Sequence, residues 1–125
     1  MKSVASGDRL VANINEAAFE PWVFEDGAID DSQMVLQLNT AKPVGVGFHV
    51  YRMAPGTTTA AHRHTGDEEF FVLDGDLTDN DGTEYRPGDL VLMKEGTEHN
   101  STTKNGCTLV VYIERAEQAL QESAR

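Results

Sequence analysis

From about residue 33 the chain runs as short apolar stretches separated by turn-forming pairs. The stretches are Met34 to Leu38, Val44 to Met53, Phe70-Phe71-Val72-Leu73, Leu90-Val91-Leu92-Met93 and Leu109 to Ile113. They are rich in β-branched and aromatic residues, and Pro-Gly, Asp-Gly or Asn-Gly pairs stand at 55–56, 74–75, 81–82, 87–88 and 105–106. Such runs suit pleated, half-buried strands, and the glycine pairs suit tight hairpins, so the pattern predicts an antiparallel sandwich or barrel. Leu77 to Tyr85 reads as one further hairpin with its tip at Asn80-Asp81-Gly82.

The ends of the chain read differently. Residues 1–30 show neither a helical nor a strand period, which predicts an irregular N-terminal arm. Its Phe19, Trp22, Val23 and Phe24 would anchor it to the body or to a second subunit, making a homodimer one expected state. Residues 31–115 form the predicted β body. Residues 116–125 are expected to be a tail or short helix, because Ala116, Ala119 and Leu120 lie near helical spacing within Glu114 to Glu122. The expectation is therefore an all-β, single-domain protein.

Composition narrows the class of partner. The chain has 125 residues, enough for one self-sufficient core. Its 21 acidic residues against 10 lysines and arginines give a formal charge of -11, which disfavours nucleic acid and anionic membranes. No apolar stretch approaches membrane-spanning length, and the first residues lack a secretory core, so a cytoplasmic location is expected. The single cysteine, Cys107, rules out an intrachain disulfide and is read as buried packing.

The chemistry concentrates at His62, His64, Glu68 and His99. Side chains two apart on a strand share a face, so His62 and His64 point together while Arg63 points away. Gly66 permits a bend that returns the chain as the next strand, where Glu68 shares the face of Phe70 and Val72. A carboxylate pointing among apolar side chains must be paired, protonated or bound to a cation. His99 follows Gly96 at the end of the run from Leu90, and a neighbouring strand could bring it in as the third nitrogen. Three imidazoles and a carboxylate suit a divalent first-row ion and leave positions open for a small ligand. Tyr51, Phe70 and Val72 are expected cavity walls. His49, on the face of Tyr51 and Met53, is read as a core histidine, Arg63 and Glu69 as exposed or paired, and turn acids such as Asp79 and Asp81 as solvated or capping.

These residues resemble the motifs of the cupin superfamily. The first motif is a glycine, five residues, His-x-His, three or four residues, a glutamate, six residues and a glycine; here it reads Gly56, His62, His64, Glu68 and Gly75. The second appears as Gly88, Gly96 and His99, with Lys94 and Thr103 where the motif has proline and asparagine. The run His62 to Glu69, the Asp81-Gly82-Thr83 tip, Tyr85 to Asp89 and Asn105-Gly106-Cys107 look like the cupins related to the C-terminal domain of the anti-sigma factor ChrR. They are also similar to small non-haem iron dioxygenases that cleave β-diketones or hydroxyacetophenones.

The resemblance implies a jelly-roll barrel with His62, His64, His99 and Glu68 around a divalent metal, Glu68 either as ligand or as an acceptor orienting bound water. Iron(II) is favoured, with zinc, manganese and nickel compatible with the same donors. A dioxygenase acting on a small diketone or hydroxyketone and a non-catalytic metal-dependent sensor share this quartet. Both readings stand on the sequence.

Overall fold

The computed structural model describes residues 1–24 and 26–120. Its twelve strands are β1 (Glu20–Val23), β2 (Ile29–Leu36), β3 (Gly47–Met53), β4 (His62–Arg63), β5 (Glu68–Gly75), β6 (Leu77–Asp79), β7 (Glu84–Tyr85), β8 (Leu90–Met93), β9 (Glu98–His99), β10 (Ser101–Thr102), β11 (Cys107–Ile113) and β12 (Gln118–Ala119). The described residues contain no α-helix.

All the pairings are antiparallel and build three sheets, ordered β1-β2-β3-β11-β5-β8, β10-β6-β7 and β12-β4-β9. The all-β expectation is met, with one correction: among the described residues no sheet closes into a barrel. The two smaller sheets consist of strands two or three residues long.

The core follows the strand period. In β3 the alternate residues Gly47, His49, Tyr51 and Met53 are buried, and in β5 the inward residues are Phe70 and Val72. β11 lies between β3 and β5 in the long sheet; its Leu109, Val111 and Ile113 complete the apolar cluster with Val35 and Leu77. Gly75 ends β5 at a positive φ of 87°, opposite Cys107, and a Cβ there would collide with the carbonyl of Gly106. Cys107 is buried, as expected.

Both chain ends depart from expectation. The arm is not irregular throughout, since Glu20–Val23 form β1 on the edge of the long sheet and β2 begins at Ile29. An edge strand tolerates Pro21, which lacks an N–H, and the register slips between Pro21 and Trp22. The arm's aromatics pack on the chain's own body: Trp22 stands edge-on to Tyr51 with ring centroids 5.8 Å apart, and the Arg52 guanidinium lies 4.1 Å over the Phe19 ring. At the other end the short helix offered as the alternative to a plain tail, over Glu114 to Glu122, is absent through Leu120, and Gln118–Ala119 pair instead with β4. One long apolar side chain gives a helix too little to bury, whereas β4 offers unpaired backbone groups. Residues 121 and 122 of that span lie outside the described residues.

Candidate metal centre

The smallest sheet carries the site. In β4 and β9, His62 lies directly opposite His99, and their ring centroids are 4.6 Å apart. His64 follows β4 and is held by its own backbone: its N–H donates to the Thr97 carbonyl at 2.9 Å, and its carbonyl accepts from the Gly96 N–H at 2.8 Å. Its ring lies 5.0 Å from that of His62 and 4.9 Å from that of His99. The turn before β9 has Lys94 where the cupin motif has proline. Hydrogen bonds close it instead, with the Thr97 N–H and hydroxyl both donating to the Lys94 carbonyl, at 3.1 and 2.7 Å.

Glu68 opens β5 on the inward face. Between it and His64 the chain bends at Thr65-Gly66, as the glycine suggested, but Gly66 keeps a φ open to any residue. A Cβ there would lie 2.8 Å from Glu114 Oε1 and 3.1 Å from Glu114 Cβ, so a larger residue would require the Glu114 side chain to shift. One donor atom from each of His62, His64, Glu68 and His99 lies within 4.8 Å of all the others. The four residues singled out in the sequence are thus brought together as a cluster capable of ligating a divalent metal.

Hydrogen-bond accounting fixes which nitrogen each histidine presents. The Nδ1 of His62 donates to the Ala60 carbonyl at 2.9 Å, and the Nδ1 of His99 donates to Asp79 Oδ2 at 3.0 Å. His64 Nδ1 lies 2.9 Å from Thr97 Oγ1, whose proton is already given to Lys94, so this nitrogen donates as well. All three rings therefore carry the proton on Nδ1, and in the neutral state each has its Nε2 lone pair free. That is the arrangement in which partners outside the site orient metal-binding imidazoles.

The electrostatics suit a cation at this cluster. Burial holds His62 below the ordinary histidine pKa, and its Nε2 is buried with no hydrogen-bond partner among the described residues. Burial also works against a cationic His64, but Glu68, 2.7 Å from its Nε2, outweighs it and holds the ring above the ordinary value. In the metal-free protein a proton must lie between those two lone pairs, where a cation would otherwise sit. An orphaned Nε2 beside this pair fits a divalent ion of the borderline first-row kind.

Two residues here went unrecognised in the sequence. Asp79 was read as a solvated turn acid, yet it is buried. It accepts from His99 Nδ1, from Ser101 Oγ at 2.6 Å and from the Tyr85 hydroxyl at 2.6 Å. Burial pushes its carboxyl up, and these hydrogen bonds reverse that and hold it below the usual range. The signal was present in Leu77-Thr78-Asp79, where period two puts the acid on the leucine's inward face. Glu117, from the supposed tail, lies with Oε1 3.5 Å from His62 Nε2; burial, then the charge of Glu68, raises its carboxyl to about 7. Nothing in the local sequence marks it.

A cavity of about 690 Å³ opens beside the quartet, with His62, Glu68 and His99 on its wall. Trp22, Tyr51, Phe70, Leu109, Val111 and Ile113 make most of its surface apolar. Tyr51 and Phe70 line the cavity, whereas Val72 is wholly buried in the core and is not among the lining residues. His49 is a buried histidine but also faces the cavity; its Nδ1 donates to the Gly47 carbonyl at 3.0 Å, and burial holds its pKa down. The Tyr51 hydroxyl donates to Gln33 Oε1, whose amide nitrogen donates to Asp30 at 2.9 Å. Tyr51 and His49 each keep an acceptor lone pair, and both residues line the cavity. Arg63 and Glu69 point outward, Arg63 pairing with Glu98 at 3.7 Å.

Comparison with known proteins places this geometry in context. The family model described as the ChrR cupin-like domain matches residues 10–117. A Cereibacter sphaeroides protein provisionally designated dimethylsulfoniopropionate lyase DddL is 37% identical over 59 residues, covering 46% of this chain and 25% of its own length. The chain thus spans about a quarter of that relative. Among solved structures, one provisionally assigned as an acetylacetone dioxygenase from Methylibium petroleiphilum PM1 aligns with a TM-score of 0.68 at 12% identity, over 97% of this chain and 85% of that one. An acetylacetone dioxygenase from Acinetobacter johnsonii gives a TM-score of 0.62 at 14% identity, over 95% and 78% of the two chains. At such identities the structural likeness establishes the fold alone.

Proposed function

The chain belongs to the ChrR cupin-like domain family, and we propose that it is a non-haem iron dioxygenase acting on a small diketone or hydroxyketone. One observation carries this reading: three of the four clustered donors, His62, Glu68 and His99, lie at the wall of a large, mostly apolar cavity rather than in a closed knot of side chains. A purely structural ion would need no such cavity.

Iron(II) held by His62, His64 and His99, with Glu68 as ligand or as acceptor for bound water, would supply oxygen chemistry and a Lewis-acidic seat for adjacent substrate oxygens. The protein's own work is positional. Ala60, Thr97 and Asp79 fix the three imidazoles, so that little reorganisation accompanies loading. Trp22, Phe70 and Val111 exclude water around the bound ligand, and the lone pairs of Tyr51 and His49 favour a substrate that carries a hydrogen-bond donor.

The stretch shared with the Cereibacter relative favours a second, redox-neutral reading, in which the metal seats an oxygenated substrate for elimination. Membership of the ChrR-like family keeps a ligand sensor as the non-catalytic counterpart. Anaerobic purification with elemental analysis, followed by iron loading and oxygen-uptake assays with small diketones and hydroxyketones, separates the three. Oxygen consumption coupled to substrate cleavage supports the dioxygenase. Alkene release from dimethylsulfoniopropionate without oxygen uptake supports the lyase, and saturable ligand binding without turnover supports the sensor.

A further inference from the structure

We propose that Glu117 is a fifth protein donor to the metal, delivered by the C-terminal strand. This rests on the metal-binding reading above and extends the site beyond the quartet named by the cupin motifs.

The backbone places Glu117 beside β4. β12 pairs with β4, matching Gln118 to Arg63 and Ala119 to His62. The Leu120 N–H donates to the Ala61 carbonyl at 3.0 Å, and the Thr65 hydroxyl donates to the Ala116 carbonyl at 2.7 Å. Residues 116–120 are thereby fastened along the segment that bears His62 and His64. Glu117 turns into the cavity, its side chain one-fifth exposed.

What it faces there is informative. The Nδ1 proton of His62 is committed to Ala60, so Nε2 presents a lone pair, and Glu117 Oε1 lies 3.5 Å from it with no hydrogen bond between them. Two electron-rich atoms this close in a buried space are unfavourable unless a proton or a metal ion lies between them. Among the described residues no lysine or arginine lines the cavity. Glu68 adds a second carboxylate at the same wall, and a divalent ion balances the two. The 3.5 Å separation is close to the roughly 3 Å between adjacent donors on a six-coordinate ion with bonds of about 2.1 Å; Glu117 is not among the residues whose donors already lie within 4.8 Å of one another, so its carboxylate closes the remaining distance when the ion binds.

A site with five protein donors leaves one position open. A ligand that grips through one oxygen can enter directly, whereas a two-oxygen chelator must displace Glu117. The anionic chelator would then replace the carboxylate's charge as well as its place.

Cobalt(II) serves as the probe, titrated into the full chain and into Glu117→Ala and Glu117→Gln, with Glu69→Gln as an exposed control for the loss of one charge. Apo-protein thermal melts establish folding. Wild type and the Glu69 control should bind one cobalt with the same weakly absorbing visible spectrum. Both Glu117 variants should bind more than about tenfold more weakly, at least the cost of losing an outer partner of a ligand. Their visible absorption should also intensify as the coordination number falls. Unchanged affinity, or weaker binding with an unchanged spectrum, puts Glu117 outside the coordination sphere and overturns the proposal while leaving the metal reading intact. Wild-type protein that binds no cobalt overturns the metal reading itself.

Discussion

Asp79→Ala tests whether the site is pre-organised from outside. The carboxylate takes three hydrogen bonds, from His99 Nδ1 at 3.0 Å and from Ser101 Oγ and the Tyr85 hydroxyl at 2.6 Å each. Hydrogen bonds to a charged group contribute about 1.5–3 kcal/mol apiece, and removing one partner from a buried charged network costs about 3–5 kcal/mol in all. A domain of this size has about 5–15 kcal/mol of stability, so the variant should remain folded but melt earlier. The specific consequence falls on His99, which loses the acceptor that fixes its tautomer; cobalt or zinc affinity should drop about 10–100-fold. Asp79→Asn should fall between, because its oxygen can turn to His99 while its amide donates to the Ser101 hydroxyl. Urea unfolding of the metal-free proteins and chelator competition measure the two effects separately. A folded Asp79→Ala protein that binds metal within twofold of wild type would refute the claim that Asp79 orients the ring.

Three further outcomes are expected. His62→Ala and His99→Ala should each abolish stoichiometric metal binding by elemental analysis, and full occupancy would show that the quartet is misassigned. Val72→Ala removes two methyl groups from a fully buried position and should cost about 2 kcal/mol in urea unfolding with metal affinity unchanged; a change in affinity would connect the core to the site. Metal at a hundredfold excess over its Kd should stabilise the wild type by about 2.7 kcal/mol, a rise in Tm on the order of 10 °C by calorimetry. That rise should vanish in His62→Ala.

Much of the β body and all of the quartet could be read from the chain because both depend on local periods. Strand alternation places His62 with His64 and Glu68 with Phe70, and the glycine-framed spacing carries the cupin resemblance. The rest depends on pairings that no local pattern encodes. β1 forms across Pro21 because an edge can spare an N–H, and β12 forms because β4 offers open backbone groups. Glu117 matters only through that second pairing. Asp79 lies between these cases: its alternation with Leu77 was visible, but the adjacent Asn80-Asp81-Gly82 tip made it look like part of the turn. Val72 shares the inward face with Phe70, yet a shared face does not separate a cavity wall from the packed layer beneath it.

The imidazoles stand on or beside the most slender ladder among the described residues, three strands of two residues each. So few cross-strand bonds should fray long before the six-stranded sheet does, giving this corner the fastest amide exchange of the ordered body. An ion captured there would rivet segments far apart in sequence and suppress the fraying. Metal uptake would then keep time with the breathing of this one small ladder, and mutations that weaken the main sheet would leave its rate nearly untouched.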